Sequence, residues 1–255
     1  MKGICIAFAL LLIGPIMACA GPSREQRQRT AEIHHDLGAN ALKAGDSQSA
    51  LREFMLAVDA DPDLPEVHFA LGLVYGFSMG KFDDAERELR TALALRPNYP
   101  EAQNNLATLN MRQGRFDEAI VLLKKALEDP LYAERPAAQV NLAICYAKKG
   151  DTARANSELR SVLIVTPKYC AAWRELGMLQ MEAGQGAAAL ESFGQMASFC
   201  EKAPEGQKFL GLAYGKLGRT AEARAAFAKC KALAKEQPSV AEECGKYLSD
   251  LAPAP

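Results

Sequence analysis

Residues 136–169 read PAAQVNLAICYAKKGDTARANSELRSVLIVTPKY, and their spacing predicts two short helices joined by a turn. Leu142, Ala143 and Tyr146 share one face of the first helix. Gly150 suits the turn that ends it, and Asp151 suits the N-cap of the next helix. Ala155, Leu159 and Val162 then recur at helical spacing, and Pro167 closes the unit. Neither helix can bury so narrow an apolar stripe alone. A unit of this kind needs neighbours of its own kind.

The neighbours are in the sequence. Taking 136–169 as one unit, five more run in phase with it: 31–64, 65–99, 100–135, 170–203 and 204–237. Counted from the first helical position, slot 8 is small (Gly38, Gly72, Ala107, Ala143, Gly177, Gly211) and slot 24 is large (Phe54, Leu89, Leu123, Leu159, Phe193, Phe227). A small residue facing a large one lets two helices cross closely. The second unit carries one extra residue, placed by the spacing in its Gly76–Gly80 turn, and the third carries two in Asp129-Pro130-Leu131-Tyr132. A last helix from Pro238 has room only to act as a cap, and residues 238–255 end in a Pro/Ala tail. This pattern resembles the tetratricopeptide repeat, whose period is about 34 residues. The resemblance implies an all-α fold, an α-solenoid superhelix of six helix pairs with a C-terminal capping helix.

The 255 residues are 49% hydrophobic and 24% charged, which is enough apolar material for a packed domain. Thirty basic against 31 acidic residues leave no field to recruit nucleic acid or an anionic lipid surface. Residues 1–18 stand apart. Lys2 precedes an apolar run from Ile4 to Ile13, Gly14-Pro15 breaks it, and Ile16-Met17-Ala18-Cys19 follows. This resembles the cleavage box of a bacterial lipoprotein, with Cys19 as the residue that receives lipid. The alternative is secretory cleavage after Ala20, because Ala18-Cys19-Ala20 also fits a small-x-small site. Ala20, in place of an aspartate, implies by resemblance the outer membrane rather than the inner one. Residues 19–30 then read as a polar, flexible tether.

Five cysteines follow Cys19. Cys170 and Cys200 lie equally far from the Gly184-Gln185-Gly186 turn, and Cys230 and Cys244 equally far from the start of the cap. Residues equidistant from the turn of an antiparallel helix pair lie side by side, so two disulfides are one reading. Buried free thiols are the other, since Cys230 sits at a small core slot. Cys145 has no symmetric partner.

No constellation of side chains supports catalysis, and none implies a cofactor. His34 and His68 occupy slot 4, where the fifth unit has Trp173, and so read as packing residues. His34-His35-Asp36 are adjacent, and neighbouring helical residues point about 100° apart, which does not make a metal site. No cysteine has a histidine close by in the repeat frame, and no glycine-rich phosphate loop is present. A non-enzymatic protein that works through its surface is expected.

In a superhelix of such pairs the first helix of each unit lines the concave side, through slots 2, 5, 9, 12 and 13. Those slots hold Glu66, Phe69, Leu73, Gly76 and Phe77 in the second unit, and Glu101, Asn104, Thr108, Met111 and Arg112 in the third. They hold Ala137, Val140, Ile144, Ala147 and Lys148 in the fourth, and Ala171, Arg174, Met178, Met181 and Glu182 in the fifth. Phe69, Leu73, Phe77, Met111, Val140 and Ile144 would form an apolar strip, which marks a partner groove if exposed; the bland alternative is that several pack on neighbouring units. The lysine and asparagine array that clamps a C-terminal carboxylate in some such proteins is missing.

One further resemblance is specific. The lipobox, the tether and six repeats, with the connection Ala126-Leu-Glu-Asp-Pro-Leu-Tyr-Ala-Glu-Arg-Pro136, the segment Asn141 to Asp151, and Tyr99-Pro-Glu-Ala-Gln-Asn-Asn105, resemble the type IV pilus biogenesis lipoproteins called pilotins (the PilF, PilW and Tgl group). That resemblance implies a monomeric outer-membrane lipoprotein, lipid-anchored on the periplasmic side. It would bind secretin subunits and promote their insertion and multimerisation, with no nucleic acid involved. A generic envelope scaffold for cell-wall or barrel-assembly machinery is the alternative.

Overall fold

The computed structural model describes residues 21–251. Residues 1–20, with the expected leader and the lipidation candidate Cys19, and the last four residues lie outside them. Thirteen α-helices run in order with no strand among the described residues. The first two, α1 (Arg24–Lys43) and α2 (Ser47–Ala60), form a compact unit of their own within Met1–Leu64. Here the sequence expectation is corrected. Residues 24–30, read as tether, are the opening turns of α1. Ser23 accepts from the backbone N–H of Gln26, and the Gln26 side chain accepts from the Ser23 N–H in return. This reciprocal capping box satisfies two helix-end donors and lets a polar segment stay helical. In the core of this unit Phe54 lies under Gly38.

The second unit, Pro65–Pro255, holds the other eleven helices. They are α3 (Pro65–Leu73), α4 (Phe82–Leu95), α5 (Pro100–Arg112), α6 (Phe116–Ala126), α7 (Arg135–Lys148) and α8 (Thr152–Val165), followed by α9 (Cys170–Glu182), α10 (Gly186–Phe199), α11 (Pro204–Lys216), α12 (Thr220–Leu233) and α13 (Pro238–Asp250). Each odd-numbered helix up to α11 packs on the next as a pair, each pair packs on the one after it, and α13 closes the stack against α12. The turns inside the pairs end on glycines in the left-handed region, of which Gly150 at φ 82° is one. An L side chain strains there, which is why the turn falls where the sequence has glycine. Asp151 then caps α8 by accepting from the Arg154 N–H at 3.0 Å.

The extra residue of the second unit lies elsewhere than the spacing suggested. It does not lengthen the Gly80 turn but is taken up inside the helix, where α3 continues as a π-helical turn over Val74–Ser78. The Met79 N–H reaches back to the Val74 carbonyl at 3.1 Å. One wide turn absorbs one residue. It leaves Leu71 and Gly72 ahead of it, and Ala85 and Leu89 behind it, still facing each other.

The core is a chain of small clusters rather than a single centre. The largest joins Ala107, Leu123, Leu142, Ala143, Tyr146, Leu159, Val162 and Leu176 from five consecutive helices. Slot 8 against slot 24 carries the crossing: a Cβ added at Gly177 would lie 2.4 Å from Phe193, and one at Gly211 would lie 2.6 Å from Phe227. Cys170 is bonded to Cys200, which ties the start of α9 to the end of α10, with Cα atoms 6.5 Å apart. Cys230 is bonded to Cys244, which fastens α13 to α12, with Cα atoms 6.2 Å apart.

Candidate functional site

Within the second unit the first helices of successive pairs approach one another: α5 meets α7, α7 meets α9, and α9 meets α11. No two successive second helices meet to that extent. The first helices therefore lie on the inside of the curve, and their free faces form its lining.

The six residues of the expected strip fare differently there. Phe77 is 56% exposed on the π-helical turn, the most open of the set. Leu73 is half-buried. Phe69 is also half-buried, with its ring tilted against Tyr99 at 5.1 Å between centroids. Met111 and Ile144 pack their inner sides on the large core cluster and show the rest. Val140 is a correction. It is 4% exposed and belongs to the core. It sits early on α7, at slot 5, packed into the cluster that α7 shares with its neighbouring helices.

The apolar lining continues instead toward the C-terminus. Ile144, Ala147, Met178 and Leu179 surround a cavity of about 130 Å³ between α7 and α9, with Lys148 on one rim and Glu175 and Glu182 on the other. A second cavity, about 300 Å³, lies between α9 and α11 and is lined by Met178, Met181, Phe193, Phe209, Leu212 and Lys216. Met178 is 40% exposed and serves both. The first cavity is the size of one large aliphatic side chain, so it suits an anchor residue on a polypeptide better than a free metabolite. Met178 and Met181 stand at slots 9 and 12, so the frame marked them as inward-facing. Leu212, at slot 9 one unit further on, could have been found by extending the same count; Phe209 stands at slot 6, outside the inward slots, and the count misses it.

Polar groups on this face are held by one another. Asn141 Nδ2 donates to the side-chain Oδ1 of Asn104 at 3.1 Å across α5 and α7. Tyr132 plugs the insertion beneath them; burial pushes its hydroxyl up to about 12, and a hydrogen bond with Asn104 opposes the shift. Tyr99 is likewise pushed up to about 12 by burial. The Cys145 thiol is fully buried and raised by that burial to about 11, far from the thiolate character a nucleophile needs. His68 meets Glu88 at 2.8 Å, and that hydrogen bond holds the Glu88 carboxyl below the usual range. Among the described residues, no group of three or more His, Cys, Asp or Glu is placed to hold a metal ion. No helix of the described residues is long and apolar enough to cross a membrane.

Two sequence models, both of the tetratricopeptide repeat, match this chain: one over residues 77–130 and 110–179, the other over 209–237. Among curated proteins, DnaJ homolog subfamily C member 3 of Mus musculus is 35% identical over 97 residues, covering 38% of this chain and 19% of that protein. The type IV pilus assembly protein PilF of Pseudomonas aeruginosa is 30% identical over 118 residues, 46% of either chain. The chain thus spans from about a fifth to just under half of these curated relatives. Among solved structures, PilW, described as a widely conserved type IV pilus biogenesis factor, aligns with a TM-score of 0.74 at 25% identity, covering 86% of this chain and 98% of that one. The Pseudomonas aeruginosa PilF structure aligns with a TM-score of 0.69 at 21% identity, again over 86% of this chain and 98% of that one, a likeness of fold.

Proposed function

We propose that this chain, a tetratricopeptide-repeat protein, is a type IV pilus biogenesis factor of the pilotin kind. It would be a lipoprotein held at the outer membrane through Cys19, binding secretin subunits and promoting their insertion and multimerisation. The observation that carries this reading is the correspondence with PilW, which takes in 98% of that chain at 25% identity. The DnaJ homolog match is higher in identity but takes in only 19% of that protein, a repeat segment without the rest. The pilus factors therefore share the architecture, and the DnaJ homolog shares a module.

The mechanism is shielding. A secretin subunit presents amphipathic strands before it oligomerises. The inner face, with Phe77, Met178 and Leu212 open along it and Ile144 half-buried between them, offers apolar anchor points to such a segment, while the lipid keeps the complex at the bilayer. Deleting the gene should remove secretin multimers from outer-membrane fractions and leave secretin monomers. The triple change Phe77→Ser, Met178→Ser, Leu212→Ser should do the same with an unaltered circular dichroism spectrum. Normal multimers in both strains would refute the reading. A deletion phenotype without a triple-variant phenotype would keep the function and move the contact off this face.

A further inference from the structure

We infer that the open face of α1 is a docking surface for an amphipathic helix of a protein partner, one that carries carboxylates beside its apolar stripe. This face is separate from the inner face. Slots 3, 7 and 10 of a first helix meet the second helix of the pair before it. In α5 they are Ala102, Leu106 and Leu109, which share one cluster with Ala85, Leu89 and Ala92 of α4. In α7 they are Ala138, Leu142 and Cys145, clustered with Ala119, Leu123 and Ala126 of α6. In α11 the approach is closest, since a Cβ at Gly206, slot 3, would lie 2.6 Å from Cα of Ala197 in α10. Slot 3 is fully buried in α5, α7 and α9, and slot 7 is at most 3% exposed there.

The same slots of α1 hold Ile33, Leu37 and Asn40. Ile33 is 54% exposed and Leu37 49%, and Asn40 is open beside them. The other side of α1 is closed, with Ala31 and Gly38 buried and Phe54 of α2 against Gly38. So α1 receives half of the packing that a first helix receives elsewhere in this chain. The last helix shows what a closed end requires. From Ser239 onward the exposed residues of α13 are Ser239, Glu242, Lys246, Ser249 and Asp250, all polar, as the outer face of a terminal repeat must be.

A partner helix would take on α1 the place that α4 takes on α5. Its charge follows from α1 as well. At about 100° per residue, Gln26, Thr30, Ile33, Leu37 and Ala44 lie along one line, and Arg27 and Arg29 stand on either side of it. Both arginines are exposed. Arg27 donates to the Pro22 carbonyl, and among the described residues neither guanidinium is paired with a carboxylate. Planar guanidinium groups beside an apolar stripe select carboxylates on the helix that covers it. A lipid surface fits less well, because two aliphatic side chains in line with glutamine and threonine make too narrow a face to sink among acyl chains.

The probe is a capped peptide with the sequence of α4, residues 82–95, which carries Asp83, Asp84, Glu86 and Glu88 against Arg87 and Arg90. Titrated into the full, 15N-labelled chain at low salt, it should shift the backbone amides of residues 26–44 saturably, with a dissociation constant on the order of 0.1–1 mM for so short a helix. Ile33→Ser with Leu37→Ser should abolish these shifts and leave the circular dichroism spectrum unchanged, since both side chains are open. Arg27→Glu with Arg29→Glu should weaken binding about fivefold. No saturable shift in α1 of the unaltered chain would overturn the proposal, and undiminished binding by the arginine variant would overturn the carboxylate assignment. A soluble gadolinium chelate should broaden the methyl signals of Ile33 and Leu37 in the free chain; methyls spared by it would mean that another segment of the chain covers the face, and the proposal would fail. It would fail equally if the α1 amides shifted with protein concentration alone, the sign of a second copy, or bound phosphatidylglycerol-containing vesicles in preference to the peptide.

Discussion

Gly177→Ala tests the close crossing of each helix pair more sharply than any deletion. The new methyl would lie 2.4, 2.7 and 2.7 Å from Phe193 Cε1, Cδ1 and Cζ. Carbon atoms are at ease at about 3.5–4.0 Å, so the ring must withdraw by about 1 Å. It has nowhere to go, being 1% exposed and stacked on Phe209 at 5.3 Å between centroids. Overpacking of this kind costs about 1–3 kcal/mol, against about 1 kcal/mol gained by replacing glycine with alanine in a helix. The net loss is about 0–2 kcal/mol, and a clash of about 1 Å on a ring that cannot withdraw puts it in the upper half of that range. Phe193→Leu alone leaves a void and costs about 1–2 kcal/mol. The double variant recreates a pairing this chain already uses, Ala107 with Leu123 and Ala143 with Leu159, and should lose about 1 kcal/mol or less. The methyl fills what the ring vacates, so the double variant should be about 2 kcal/mol more stable than the two single losses combined. Urea unfolding provides the assay, followed by circular dichroism and by fluorescence of Trp173, the single tryptophan, which lies in α9 of the same pair. Additivity within about 0.5 kcal/mol would refute the claim that slots 8 and 24 are in contact competition.

Other expectations follow from the same structure. Alkylation of the denatured, unreduced protein should modify Cys145 and spare Cys170, Cys200, Cys230 and Cys244; in the native protein at about pH 8 the buried Cys145 should resist thiol reagents as well. Replacing Cys230 and Cys244 by alanine, a separation of 14, should cost about 3 kcal/mol, and replacing Cys170 and Cys200, a separation of 30, about 3–4 kcal/mol, both read as urea midpoints. Tyr99 and Tyr132 keep their protons to about pH 12 in the folded state, whereas unfolded tyrosine ionises near its usual value of 10. Because the folded pKa is the higher, this contribution is fully present below pH 10 and is lost as pH rises toward 12. Absorbance at about 295 nm should show two late tyrosines, and the urea midpoint should fall over that window.

The period was legible because it rests on a few steric demands repeated many times. A small slot 8 must face a large slot 24, and a glycine must close each turn. Gly38, Gly72, Gly177 and Gly211 each leave room for one large side chain and no more. The start of α1 was not legible from composition. Arg24 to Thr30 looks like a polar tether, and what makes it helical is the local exchange of hydrogen bonds between Ser23 and Gln26. The π-helical turn was also hidden, since an extra residue in the sequence does not say whether the turn or the helix will absorb it.

The inner face shows how far counting can go. Slots 5, 9 and 13 all point inward on a helical wheel, and the sequence gives no reason to separate Val140 from Ile144 or Met178. Burial in the stack separates them: the early slots of the first helices are covered and the late ones are open. At slot 5, Val140 is closed over, and Phe69, Asn104, Arg174 and Lys208 are at most half-open. At slot 9, Met178 and Leu212 are open, and at slot 13 so are Phe77, Arg112, Lys148, Glu182 and Lys216. Usable surface therefore lies along the C-terminal halves of the first helices, an apolar line at slot 9 beside a charged one at slot 13. Phe77 breaks the charged line, and it does so at the turn where the helix widens by one residue. A partner bound here would meet aromatic surface at α3 and, from α5 onward, a basic line of Arg112, Lys148 and Lys216 interrupted by Glu182. On that reading Phe77→Ser alone should weaken binding of the partner captured in pull-downs by about tenfold or more, and Val140→Ala should destabilise the fold by about 1–2 kcal/mol while leaving binding by the folded protein unchanged. The opposite pattern, binding lost with Val140→Ala at full stability, would mean that the stack opens in solution and that slot 5 is exposed after all.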